Sequence, residues 1–169
     1  MTTYKLFRVR NDRLYPLYVE TGREMPLNVW LDAHIGPMAD SNHVCSRLGP
    51  LSLRPGFHST LIPFTDWIGK KQGGRLVQSP DTVWCECEIQ GKQLIVTDSR
   101  GLKTLPEGWY FFKTNPKQIY PWVISDKIFI HRVLCHEEVE AICRGYGLEA
   151  QPMWEAPDTK QVTAPLLKA

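Results

Sequence analysis

The sequence predicts an α+β domain with a mostly antiparallel sheet at its core, and three observations carry that expectation. Short stretches alternate apolar and polar residues with the period of two that a half-buried strand requires, most plainly "TVWCECEI" at 82–89. One stretch, "HEEVEAICRGYG" at 136–147, spaces its apolar residues as a helix does. Nowhere does a glycine-rich loop stand between a strand and a helix, as it does in the phosphate loops of parallel α/β folds.

In chain order, residues 4–19 ("YKLFRVRNDRLYPLYV") read as a hairpin. Leu6 and Arg8 face one way, Phe7 and Val9 the other, and "NDR" supplies turn chemistry. Pro16 cannot donate to a ladder, which makes the second arm an edge or irregular strand. "NVWLDAH" at 28–34 is another short extended piece. Residues 35–56 are rich in Gly, Pro, Ser, Asn and Asp and read as a long loop, the kind that handles a ligand or partner. "PFTDWIGKK" at 63–71 can make one or two helical turns, capped by Thr65 or Asp66 and ended at Gly69, with a loop over 73–81. In 82–89, Val83, Cys85, Cys87 and Ile89 take the inward face, and Trp84, Glu86 and Glu88 the outward one. Further strands are expected at 92–98, 107–114 and 126–134, the last with Ile128, Ile130 and Leu134 along one side. In the helix, Val139, Ile142 and Cys143 form the buried stripe, acidic residues fill the first turn, and Arg144 with Gly145 mark the end. One domain is expected over 1–150, followed by an irregular or disordered tail, 151–169, pinned at most by Trp154.

A length of 169 residues suits one domain. Hydrophobic residues at 43% and charged ones at 22% match globular averages and exclude a disordered chain, and the apolar runs "YPWVIS" and "WYFF" are too short to span a bilayer. The N-terminus lacks the pattern of a signal peptide, so the expected compartment is the cytoplasm. Without secretory context, five cysteines read as reduced thiols. A net charge of +2, spread along the chain, does not announce nucleic acid. Six tryptophans, six tyrosines and six phenylalanines read first as an aromatic core.

Three constellations could carry chemistry. Cys85 and Cys87 sit one residue apart in a strand, which sets them side by side at ~6.5 Å instead of on the knuckle of a structural zinc site. They read as buried hydrophobes, and no metal is expected. Cys135, beside His136 at the helix start, is the cysteine best placed as a nucleophile, because a helix N-terminus lowers a thiol pKa; capping is its other use. The third group is Arg54, His58, Ser59, Thr60 and Trp67 in "LRPGFHSTLIPFTDWIG", with Glu86 and Glu88 from the next good strand. Hydroxyls and an imidazole can hold a nicotinamide nucleotide, and a glutamate can stabilise an oxocarbenium-like ribose as nicotinamide leaves. Each residue also has a structural use: Arg8 on an exposed strand face, His58, Ser59 and Thr60 in a turn, Trp67 in the core, Glu86 and Glu88 on a solvated face.

Over residues 4–145, the succession "YKLFRVR", "LYPLYV", "VWLDA", "LGPLSLRPGFH", "TVWCECE", "GWYFFKTNP", "DKIFIHRVL", "EEV" resembles a group of small proteins of phages, prophages and other bacterial mobile elements that has no assigned activity. That resemblance implies the host cytoplasm and a host protein as partner. A second resemblance is to the ADP-ribosyltransferase fold, whose members bind NAD between two small antiparallel sheets. They carry Arg or His on a first strand, Ser or Tyr on a second, and Glu later. In one register Arg8 is the first residue, Ser59 and Thr60 the second motif, and Glu86 or Glu88 the acid, with Arg54, His58, Trp67 and Tyr110 around NAD. In the other, His58, Tyr110 and Glu137 or Glu138 take the three roles. The first register has the better spacing, although "HST" supplies only part of the expected hydroxyl, serine, hydroxyl run. The implied function is ADP-ribosyl transfer from NAD to a host macromolecule. The alternative is a non-enzymatic binding protein that inhibits or redirects a host factor such as a defence complex. Single-stranded nucleic acid on the aromatics of "RPGFH" and "GWYFFK" is disfavoured by the near-neutral charge.

Overall fold

Asn11 and Asp12 both take positive φ (47° and 64°), a backbone these two residue types tolerate, and the chain reverses there between β1 (Thr2–Arg10) and β2 (Arg13–Tyr15). Strand pairing stops at Tyr15, just before Pro16, as the missing N–H requires. The computed structural model describes residues 1–65, 70–72, 75–77, 79 and 81–148, with backbone alone at 70–72 and 75–77. The expected tail 151–169, Trp154 and Asp66 to Gly69 lie outside the described residues.

The remaining strands are β3 (Trp30–Asp32), β4 (His43–Val44), β5 (Leu51–Ser52), β6 (Phe57–Thr60), β7 (Lys70–Gln72), β8 (Arg75–Val77), β9 (Thr82–Glu88), β10 (Trp109–Phe112), β11 (Trp122–Ser125) and β12 (Lys127–Val133), followed by helix α1 (His136–Gly145). One eight-stranded sheet runs β10-β11-β6-β1-β9-β12-β3, with β2 added to β1; β4 with β5 and β7 with β8 make two separate ribbons. Every pairing between named strands among the described residues is antiparallel. The fold is therefore α+β, mostly antiparallel sheet with one helix among the described residues. No helix among them is long and apolar enough to cross a membrane.

The sheet is covered on both faces. Phe7, Val83, Cys85, Cys87, Ile128 and Ile130 form one core cluster; Leu6, Trp84, Ile62, Leu134 and the helix residues Val139 and Cys143 form another on the opposite face. Trp84 is thus buried and not outward as its alternation suggested, because α1 and the segment after β6 cover that face. Beyond Trp84 the cover ends, and Glu86 and Glu88 on the same face stay partly exposed. A third cluster, Tyr110, Phe112, Trp122 and Ile124, lies under Leu94, Val96 and Leu102.

Four further expectations are corrected. Residues 92–98 form no strand: they hang on Trp109 through backbone bonds at Lys92 and Leu94, freeing Leu94 and Val96 to cap the third cluster. Residues 63–65 are not helical, and Lys70–Gln72 pairs with Arg75–Val77 as a ribbon where helical turns and a loop were expected. The long loop 35–56 contains the β4–β5 ribbon. Ile128, Ile130 and Leu134 do not share one face, because a β-bulge between Ile130 and Arg132 inserts His131 and flips the alternation. Val133 then follows Ile130 into the first cluster and Leu134 drops into the second.

Candidate functional site

The ladder of β1 with β9 is continuous from Thr2↔Glu88 to Arg8↔Thr82, so β9 fills one edge of β1. The other edge is shared. β6 meets it only at Tyr4↔Thr60, and β2 only from Arg8↔Tyr15 onward. Between these pairs, Lys5, Leu6 and Phe7 have a strand neighbour on one side alone. A cavity of about 350 Å³ opens at this break, lined by Lys5 and Leu6, by the chain leaving β2 (Pro16 to Glu20), by the approach to β6 (Leu51 to His58), and by Trp84 and Trp122. The volume falls near the lower end of the ~300–1,000 Å³ range of small-molecule sites.

Gly56 makes the approach to β6 feasible. Its φ of +130° suits glycine, and a Cβ there would stand 2.6 Å from Ile124 Cγ2 and 3.0 Å from the Ser125 carbonyl oxygen. The turn delivers His58 to the cavity. His58 Nδ1 lies 3.2 Å from the Gly56 carbonyl, which can only accept, so Nδ1 carries the hydrogen and Nε2 is left as an acceptor. The ring meets Trp122 edge-on at 6.0 Å. Burial, reinforced by the charge of Lys5, pushes the His58 pKa down to about 3, so the imidazole is neutral at physiological pH.

Lys5 closes the break electrostatically. Its Nζ donates to the His58 carbonyl at 2.8 Å and lies 5.6 Å from the Phe7 ring centre. Burial lowers its pKa to about 8. Arg54 stacks its guanidinium on Phe112 at 4.6 Å, and its Nε is buried without a hydrogen-bond partner. Burial lowers the Arg54 pKa as well, and its charge, like that of Lys5, acts on His58. Among the described residues neither cation is paired with a carboxylate. The lining carboxylate, Glu20, is taken by Arg23 at 3.8 Å and His34 at 3.2 Å.

Of the described residues singled out in the sequence, Arg54 and His58 line this cavity; the others serve elsewhere. Arg8 is ion-paired with Asp81. Ser59 points to the opposite face and donates to the Val123 carbonyl at 3.3 Å; Thr60 Oγ1 lies 2.5 Å from the Ile62 carbonyl and 3.2 Å from that of Tyr4. Tyr110 is fully buried and its hydroxyl accepts from Leu102 N at 3.2 Å. Glu86 lies 3.5 Å from Arg132, and Glu88 3.0 Å from His131. Trp67 lies outside the described residues. Arg8 stands opposite Thr82, four residues from Glu86, so along the ladder the two are roughly 13 Å apart. In the second register, His58 and Tyr110 do share one face through Ile124, but Glu138 accepts from Cys135 N at 2.9 Å and pairs with Arg132 at the start of α1. Cys135 takes its other expected use as the N-cap of α1, and as a nucleophile it is corrected, since its thiol pKa is raised, first by burial and then by Glu137 and Glu138.

Sequence reasoning missed Lys5, although a signal was present. In "YKLFRVR" it shares its side of the strand with Phe7 and Val9, a lone cation on an apolar face. The five cysteines are free, and Cys85 and Cys87 are fully buried on the core face as expected. Among the described residues no cluster of three or more His, Cys, Asp or Glu could hold a metal. No protein-family model, no curated protein and no solved structure matches this chain.

Proposed function

We propose that the chain is a small-molecule binding protein whose cavity takes an anionic ligand carrying a flat ring, with nucleotides as the class that best fits. The observation behind this reading is the pair of partly buried cations, Lys5 and Arg54, that line a cavity where no carboxylate among the described residues is free. A buried, uncompensated charge is costly, and an anionic ligand offsets that cost more directly than a neutral one. Trp84, Trp122 and Tyr18 among the lining residues supply aromatic surface for a ring.

NAD belongs to this class, and the pinch in the sheet between β1 and β6 is the feature nearest to the cleft that the ADP-ribosyltransferase resemblance implies. Transfer additionally needs an acid at the ligand. Glu86 and Glu88 are engaged by Arg132 and His131 and are not among the lining residues, so the reading adopted is binding, with transfer as its narrower form.

Thermal denaturation with NAD, ADP, AMP and adenosine tests the proposal. A ligand at 100 times its Kd adds about 2.7 kcal/mol, which raises the Tm of a chain this long by several degrees. The phosphorylated ligands are expected to produce that shift, adenosine a smaller one, and Arg54→Gln to abolish the difference. No shift with any of them at millimolar concentration overturns the reading. Label transfer from NAD to host lysate, lost in Glu88→Gln and in Arg8→Gln without unfolding of either variant, would restore an enzymatic role.

A further inference from the structure

Lys5 stands apart from the other cations because of its surroundings. It shares its face of β1 with Phe7, opposite the fully buried Cys85, and its one hydrogen-bond acceptor is the His58 carbonyl at the break in the sheet. We infer that Lys5 Nζ is a nucleophilic amine that condenses reversibly with the carbonyl group of an anionic aldehyde or ketone seated in the cavity. This rests on the anion-binding reading above and deepens it by naming a reactive group in the ligand.

The chemistry needs three things at one place. The first is an amine that is partly unprotonated: with a pKa of about 8, a substantial fraction of Lys5 is free amine at neutral pH, whereas an ordinary lysine has about one part in a thousand. The second is a fixed position, supplied by the bond to the His58 carbonyl. The third is an anchor for the anion, and Arg54, a cation that lines the same cavity as Lys5, meets that need. In the reaction the Nζ lone pair attacks the carbonyl carbon and the C=O π pair moves to oxygen. The ammonium formed gives up a proton, the oxygen gains protons, water departs with that oxygen, and a C=N bond remains. Addition of water reverses every step, so no oxidant or reductant is required. The proton released passes to water, because His58, with a pKa of about 3, is too weak a base to hold it at neutral pH.

Pyridoxal 5′-phosphate is a suitable probe because it joins an aldehyde, an aromatic ring and a phosphate; pyridoxal lacks the phosphate, and glyoxylate replaces it with a carboxylate. The full chain is mixed with each at pH 7.5, reduced with borohydride, which converts the imine to a stable secondary amine, and mapped by peptide mass. The expected result is labelling of Lys5 at least tenfold faster than any other lysine with pyridoxal 5′-phosphate, and about tenfold slower with pyridoxal. Faster labelling by glyoxylate than by pyridoxal 5′-phosphate would identify a carboxylate as the anchored group. Lys5→Arg, whose folding is checked by circular dichroism, removes the fast-labelled site. Lys5 labelling no faster than the surface lysines overturns the inference. If nucleotides still raise the Tm in that event, the inference fails alone and the binding reading stands.

Discussion

At the scale of single residues, the cavity is built from groups whose protonation burial has shifted, and stability should report those shifts. Lys5 has a folded pKa of about 8 against an ordinary 10.5. Between those values the unfolded chain holds a proton that the folded chain has lost, so Lys5 makes stability rise with pH across that window; below pH 8 its full cost is present. The cost is on the order of 3 kcal/mol. Cys85 faces Lys5 from β9, and burial raises its thiol well above the ordinary range; burial also pushes the thiols of Cys87 and Cys143 up to about 12. These thiols act in the opposite sense above pH 9, where the unfolded chain ionises first. The wild-type curve therefore mixes both effects, and the difference curve separates them. Lys5→Met is expected to be more stable than wild type at pH 7 by up to that cost, with the advantage vanishing by pH 10.5, as read by urea denaturation at a series of pH values. On the acid side, His58 with a folded pKa of about 3 makes stability fall as pH drops from 6.5 toward 3, and His58→Gln should flatten that slope. A Lys5→Met difference that does not change with pH would mean that Lys5 is ordinarily solvated.

At the scale of elements, period-two alternation was readable wherever one strand face was apolar throughout, as in β9, and the i, i+3, i+4 stripe of α1 was equally plain. Errors arose where tertiary context decided. Nothing local in "WCECE" marks Trp84 as covered and Glu86 as open, because that boundary is the edge of α1. Nor does "IFIHRVL" announce a bulge; the register shift exists because Ile130 and Val133 must both face the first cluster. The cysteines were legible for the same reason as β9, and their chemistry follows from burial. Native protein treated with a thiol reagent at pH 8 should modify the exposed Cys45 promptly, while Cys85, Cys87 and Cys143 react at least a hundredfold more slowly until guanidinium exposes them. More than two thiols reacting promptly in the native state would contradict that burial.

For the whole molecule, the main consequence is a sheet made of two parts, β10-β11-β6 and β1-β2-β9-β12-β3, whose strand ladders meet at one residue pair, Tyr4↔Thr60, beside the Lys5 bond to the His58 carbonyl, while Phe57 and Val123 of the first part pack in one core cluster with Phe7 and Cys85 of the second. This joint was hidden from the sequence, since "FHST" reads as an ordinary strand and only the partner register shows that one of its residues crosses to β1. So sparse a ladder makes the joint the natural place for a sub-global opening, in which the three-stranded part separates before the rest unfolds. Thr60 Oγ1 reinforces the joint from within, 3.2 Å from the Tyr4 carbonyl and 2.5 Å from that of Ile62. Thr60→Val keeps the shape and deletes the hydroxyl, at a cost of about 1–2 kcal/mol. Ser59→Ala, which removes the bond to the Val123 carbonyl inside the three-stranded part, should cost about as much. Hydrogen exchange separates the two. Thr60→Val is expected to speed amide exchange in β10, β11 and β6 at least fivefold relative to β9 and β12, and to reduce the thermal shift produced by nucleotides. Ser59→Ala should lower protection without favouring the joint. Equal acceleration in all strands of the Thr60→Val protein would mean that the sheet opens as one unit, and the cavity would then be a fixed hole in a single cooperative fold.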